Sequence, residues 1–149
     1  MINLQRTFSG DQDFIYLVNL LDAELAIRDG EDHVFYAQFN KVDKLRHCIV
    51  AYENSQPVGC GAFRHIDEST IEIKRMFVDI SARKKGIATK VLSGLESWAA
   101  EMNYLVCILE TGYKQPEAID LYIKNGYQRI PNYGPYVGVE NSVCFSKVI

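Results

Sequence analysis

The amino-acid sequence predicts an α/β fold of the α+β type: one mixed, largely antiparallel central sheet of about six to seven strands, with helices on both faces. Three observations carry this expectation. Three alternating segments between His47 and Val78 are joined by connections too short for a crossover, so they form an antiparallel meander. After Gly86 the hydrophobic period lengthens from two residues to about 3.6. Two more strand-like runs, Leu105 to Glu110 and Ser142 to Val148, flank a further helical segment, which suits one sheet with helices packed against it.

Each element has its own reason. Asn3 to Phe8 alternates apolar and polar residues and reads as a strand. Asp11 is placed to cap a helix whose apolar positions Phe14, Leu17, Leu21 and Leu25 follow the helical period, and Arg28-Asp29-Gly30 breaks it. His33 to Leu45 reads as a second, shorter helical stretch, with Phe35 and Phe39 four apart. His47 to Tyr52 and Val58 to His65 flank the polar turn Glu53-Asn54-Ser55-Gln56, closed by Pro57. Asp67-Glu68-Ser69 turns into a third strand, Thr70 to Val78, where Glu72, Lys74 and Met76 are expected on one face. Ile87, Val91, Leu95, Trp98 and Met102 trace one side of a helix from Gly86 to Asn103. Pro116 suits a first helical turn and Asn125-Gly126 a left-handed stop. Tyr127 to Ile130 and Ser142 to Val148 complete the sheet, joined by a loop rich in Tyr, Gly and Pro.

There is no repeat and no linker, and 149 residues suit a single domain over 1–149. The 48% hydrophobic content is that of a globular chain, no run approaches a membrane span, and the start lacks a signal-peptide pattern, so a cytoplasmic protein without a membrane partner is expected. Cys48, Cys60, Cys107 and Cys144 are dispersed in apolar runs without metal-ligand spacing and read as buried thiols. A net charge of -3 argues against a nucleic-acid partner.

Within this acidic chain, Lys74, Arg75, Arg83, Lys84, Lys85 and Lys90 make a local basic spot. The stretch Arg83-Lys84-Lys85-Gly86-Ile87-Ala88-Thr89 opens the long helix, where unpaired N–H groups and the helix dipole attract an anion. Gly86 and Ala88 leave room for a phosphate or pyrophosphate to approach the backbone. No Walker loop and no dinucleotide fingerprint is present. The residues alone fit either an anion site or a solvated basic turn.

Arg83-x-x-Gly86-x-Ala88, placed after the strand Ile71 to Val78 and before an amphipathic helix, resembles the [Q/R]-x-x-G-x-[G/A] motif of the GNAT superfamily of acetyl-coenzyme A-dependent N-acetyltransferases. The element order is similar to that family's from end to end. Gln115-x-x-Ala118-x-x-x-Tyr122-x-x-x-Gly126-Tyr127 resembles its later N-x-x-A-x-x-x-Y-x-x-x-G-F pattern, with Gln for Asn and Tyr for Phe. The resemblance implies acetyl-coenzyme A as co-substrate and no metal. It places the pyrophosphate on Arg83, Lys84, Lys85, Gly86, Ile87, Ala88 and Thr89, the pantetheine arm along Phe77 and Val78, and a further cofactor contact at Gln115.

Acetyl transfer to an amine needs a deprotonated amine, an oxyanion donor and a proton for the departing thiolate. The resemblance puts Tyr122 beside the coenzyme sulfur as the acid, against the alternative of an aromatic packed on the sheet. Glu72 stands where some family members carry a base, and reads equally as a solvated partner of Lys74. The resemblance gives the oxyanion a backbone N–H near Phe77 and Val78. His33, His47 and His65 are isolated and read as structural. No cysteine is placed as a nucleophile, which favours direct attack in a ternary complex. By resemblance the acceptor pocket draws on residues 24–39 and 131–141, so Glu24, Arg28, Tyr133 and Tyr136 are candidates for binding the amine of a small molecule or peptide. Acetyl, propionyl and succinyl transfer, and a homodimer, stay open. The rival class is an acyl-coenzyme A sensor without turnover.

Overall fold

The structure, a computed structural model, describes residues 1–32, 34, 37 and 44–149. The helical reading of 33–45 therefore lies almost wholly outside the described residues. In chain order the elements are β1 (Ile2–Thr7), α1 (Gln12–Asp29), β2 (His47–Glu53), β3 (Gln56–His65), β4 (Thr70–Val78), α2 (Ile87–Glu101), β5 (Val106–Gly112), α3 (Pro116–Lys124), β6 (Gln128–Ile130) and β7 (Ser142–Val148). The seven strands form one sheet in the order β1-β2-β3-β4-β5-β7-β6. Every pairing is antiparallel except β4 with β5.

Local chemistry sets the boundaries. The Asp11 carboxylate accepts from the N–H groups of Asp13 (2.8 Å) and Phe14 (3.2 Å) and so caps α1, which ends where Gly30 turns to φ 55°. The β2–β3 turn is tighter than expected. Asn54 (φ 50°) and Ser55 (φ 64°) alone make it, as a two-residue hairpin turn requires, so Glu53 and Gln56 pair with each other. Pro57 falls inside β3, next to a register shift between Ala51 and Tyr52 that spares the ladder its missing N–H. Met102, expected on the apolar side of α2, lies past its last turn and is 40% exposed; Leu92 and Ala99 share the buried side instead.

One sheet face packs α1 through Phe14, Leu17, Val18 and Leu21 onto Cys48, Val50, Cys60, Ala62 and Phe77. The other packs α2 and α3, through Ile87, Val91, Leu92, Leu95 and Tyr122, onto Ile49, Phe63, Ile73, Leu109 and Phe145. All four cysteines are buried free thiols, and burial pushes Cys48 and Cys107 up to about 12. No described helix is long and apolar enough to cross a membrane.

Two irregularities in β4 break the regular sheet. Cys60 pairs with Phe77 but Ala62 with Lys74, so Gly61 faces both Arg75 and Met76. Arg75 takes φ 60° at this bulge and its carbonyl accepts from the Cys60 thiol at 3.4 Å. A Cβ on Gly61 would stand 2.5 Å from Met76 Sδ and 2.9 Å from Leu95 Cδ1, so a larger residue opposite the bulge would require those side chains to move. The bulge also resets the alternation. Phe77 packs against the α1-side core while Met76 packs against the α2-side core, so Met76 leaves the face of Glu72 and Lys74 that unbroken alternation would have given it. The second irregularity is the short parallel ladder. It joins Thr70, Ile71 and Glu72 to Val106, Cys107 and Ile108, after which β4 and β5 continue without pairing each other.

Leu95 is fully buried between Gly61 and the rest of the α2-side core. Leu95→Ala is expected to cost about 3 kcal/mol, read as a lower midpoint in urea denaturation at unchanged slope.

Candidate active site

Where β4 and β5 part, two cavities open side by side. The larger, about 340 Å³, is walled by Met76, Phe77 and Val78 of β4, by the loop and first turn of α2, by Gln115, Ala118 and Tyr122 around α3, and by Leu21, Glu24 and Arg28 of α1. The smaller, about 90 Å³, is lined by Glu72 and Lys74 of β4, Glu110 and Thr111 of β5, Asp29 and Tyr136. Leu21, Met76, Gln115, Ala118 and Tyr122 line both.

The large cavity collects most of the expected cofactor residues: Phe77, Val78, Arg83, Lys84, Gly86, Ile87, Ala88, Thr89 and Gln115. Lys85 does not join them; its ammonium lies 3.2 Å from the Glu53 carboxylate, outside the lining. Gly86 is the N-cap of α2 at φ 78°, with no side-chain cap, so the first N–H groups of the helix have no side-chain acceptor there. A Cβ built on Gly86 meets nothing within 4 Å, so the backbone lies open. The Arg83 guanidinium donates from Nε to the Val78 carbonyl (2.8 Å) and from Nη2 to Glu24 (2.8 Å). Glu24 and Arg28, expected on the acceptor, line this cavity, because that side of α1 faces the anion loop and α3.

Charged groups crowd the smaller cavity. Glu72 is 2% exposed with both oxygens engaged: Oε1 accepts from Arg64 Nε at 2.6 Å and lies 3.8 Å from Lys74 Nζ, and Oε2 accepts from the Tyr133 hydroxyl at 2.5 Å. The bland reading of Glu72 as a solvated partner of Lys74 is therefore half right: the pair exists, but Glu72 is buried. Tyr133 reaches the site only through Glu72, whereas Tyr136 lines the cavity itself. Burial pushes the Lys74 ammonium down, with Glu72 opposing.

Glu110 is in a different condition. Its Oε2 is buried without a hydrogen-bond partner; among the described residues Arg75 Nε is the other such side-chain atom. Burial raises its carboxyl to about 7, against the opposing pull of the Ser142 hydroxyl and Lys74. Tyr122 is 6% exposed, its ring against Tyr127 and Phe145, and burial first, then the Glu110 charge, push its phenol up. The site thus pairs a carboxyl poised near neutrality with a phenol that stays protonated. Sequence reading misses Glu110, which looks like the end of an apolar strand, although a lone carboxylate after Val106-Cys107-Ile108-Leu109 is itself a signal. Asp29, expected both as part of a helix break and as one of the acidic groups of the acceptor segment, is 5% exposed and lines the same cavity.

The model of the Acetyltransferase (GNAT) family matches residues 14–127, and the chain belongs to that family. An IAA acetyltransferase from Azospirillum brasilense is 37% identical over 89 residues, 59% of this chain. The uncharacterized N-acetyltransferase YsnE of Bacillus subtilis is 33% identical over 99 residues, 65% of this chain. The matches span 58% and 66% of those two relatives' own lengths. Among solved structures, a candidate acyl-CoA N-acyltransferase from Klebsiella pneumoniae superposes with a TM-score of 0.84 at 28% identity, covering 99% of this chain and 97% of that one. A GNAT family acetyltransferase from Elizabethkingia anophelis with acetyl-CoA bound shares the fold at a TM-score of 0.69 and 17% identity, over 99% of this chain and 98% of that one.

The raised Glu110 value has a consequence for stability. The folded state favours the neutral acid, so the contribution of Glu110 is in place below its ordinary value of 4.5 and is lost as pH rises through about 7. Glu110→Gln is expected to melt above wild type at about pH 8 and to lose that advantage near pH 4, checked by thermal melts across the range.

Proposed function

We propose that residues 1–149 act as a single N-acetyltransferase domain that moves an acetyl group from acetyl-coenzyme A to the primary amine of a small molecule or peptide end, by direct attack in a ternary complex. The observation that carries this reading is the meeting of two cavities at Tyr122, one facing the anion loop and the other holding Glu110. The large cavity suits the cofactor: an open Gly86 backbone, an uncapped helix start and Arg83 and Lys84 for its phosphates, with Phe77 and Val78 on an edge of β4 that β5 leaves unpaired. The small volume of the second cavity suits an amine at the end of a slender chain rather than a folded surface.

Bound acetyl-coenzyme A supplies an acyl carbon activated as a thioester. Glu110 Oε2 takes the proton of the acceptor ammonium, freeing the nitrogen lone pair for the acyl carbon. A backbone N–H in the Phe77–Val78 region holds the oxyanion. Tyr122 Oη gives its proton to the sulfur as the carbon–sulfur bond breaks and recovers one from the new amide nitrogen, and Glu110 then releases the ammonium's proton to solvent, so the count of protons closes. The high affinity of the Tyr122 phenol for its proton keeps it protonated at neutral pH. Glu72, expected as a base, is a weaker candidate than Glu110 because a guanidinium and a phenol already hold its oxygens; it orients Lys74 and Tyr133 around the acceptor.

Titrating acetyl-coenzyme A into wild type and Gly86→Glu, then following thiol release against a panel of amines and peptide N-termini, tests the reading. Micromolar binding that Gly86→Glu abolishes, with amine-dependent release, is expected. Tyr122→Phe is expected to lower kcat by about 100-fold, and kcat/KM to rise with pH through about 7 in wild type but not in Glu110→Gln. Binding without release for every amine would instead make the chain an acyl-coenzyme A sensor, and well-folded protein that binds no acetyl-coenzyme A would end the proposal.

A further inference from the structure

Half-exposed ion pairs contribute little to stability, so a chain of them across a cavity calls for another explanation. Four charged residues that line the large cavity form such a chain: Arg83–Glu24 at 2.8 Å, Glu24–Arg28 at 3.5 Å and Arg28–Glu117 at 2.8 Å. It links the anion loop to α3 by way of α1. The carboxylate in its middle, Glu24, occupies the guanidinium best placed to receive a phosphate.

On the reading that this cavity takes acetyl-coenzyme A, we infer that Glu24 is a built-in competitor for the cofactor's phosphates at Arg83. Glu24 thereby sets how tightly the cofactor is held and how readily coenzyme A leaves.

The argument is one of donors and charge. Arg83 Nε is committed to the Val78 carbonyl, which fixes the guanidinium in place, and Nη2 is committed to Glu24 Oε2. An arriving phosphate needs the Nη donors and brings negative charge against a carboxylate a few ångströms away. Glu24 has somewhere to go. Its other oxygen, Oε1, already lies 3.5 Å from Arg28 Nη2, one helical turn along α1, so leaving Arg83 does not strand it. Arg28 can take it up because its other partner, Glu117, has a side chain 70% exposed, so its carboxylate can turn to water if Arg28 Nη2 shifts to Glu24. Glu24 therefore changes partner rather than losing one, and returns to Arg83 as the phosphate departs.

The test is a double-mutant cycle read by calorimetric titration of acetyl-coenzyme A into wild type, Glu24→Gln, Arg83→Met and the double variant, with Glu24→Ala as a second replacement. Glu24→Gln and Glu24→Ala are expected to bind about fivefold tighter, with slower dissociation in stopped-flow displacement, the size expected of one partly screened charge at close range. The gain should vanish in the Arg83→Met background, and the melting temperatures without ligand should stay within about 2 °C of wild type. Equal or weaker binding by both Glu24 variants overturns the inference, as does an undiminished gain in the Arg83→Met background, which would make Glu24 a general repulsive charge rather than a rival at Arg83. Wild type that binds no acetyl-coenzyme A removes the underlying reading and this inference together, whereas tight wild-type binding insensitive to Glu24 removes this inference alone.

Discussion

The parallel ladder between β4 and β5 holds for three residue pairs and stops at Glu72 and Ile108. Buried backbone N–H and C=O groups need partners, so two adjacent strands that part inside a protein leave a demand that something else must meet. Both cavities, and the side chains arrayed around them, occupy the space this parting creates. The bulge at Arg75 is the second half of the same arrangement. By placing two residues of β4 opposite Gly61, it gives the strand a turn, swaps the cores that Met76 and Phe77 would enter under unbroken alternation, and lets Arg75 reach Asp22 on α1. The non-glycine φ of 60° at Arg75 is sustained by contacts from β3 and α1.

Among the described residues three carboxylates line the small cavity, and two of them, Glu72 and Glu110, are treated oppositely. Glu72 meets a guanidinium, an ammonium and a phenol, and the site surrounds it with donors. Glu110, on the neighbouring strand, keeps one oxygen without a donor, and desolvation dominates. Environment, not residue type, separates a charge that organises its surroundings from a group able to take up and release a proton near neutrality.

Much of this was legible in the sequence because it rests on local rules. Thr70–Val78 and Ser142–Val148 fall on the expected residues, since alternation and flanking turn residues define them. Asp11, Pro116 and Gly126 act at helix ends as their chemistry dictates. The candidate anion loop was legible for the same reason: a helix start, a glycine and adjacent cations are contiguous. What was hidden depends on contacts distant along the chain. The bulge is invisible in β4 alone because its surroundings, Gly61 on β3 and Leu95 on α2 close to Met76, come from separate elements. That Glu24 and Arg28 face the large cavity depends on the rotation at which α1 docks, set by Phe14, Leu17, Val18 and Leu21. Glu110 was hidden because nothing near it in sequence reveals that its Oε2 would lack a donor.

Tyr122 belongs at once to the core and to the site: its ring packs against Tyr127 and Phe145 while its outer edge borders both cavities. Packing is satisfied by the ring alone, and on the proposed reading the reactive part is the hydroxyl at its rim. A phenylalanine at this position would keep the aromatic contacts, the two cavities and the anion loop. On the proposed reading, one oxygen atom therefore separates a fold that spends an acyl thioester from one that holds it and spends it about 100-fold more slowly, and descendants of such a chain could move from one to the other without rebuilding the core.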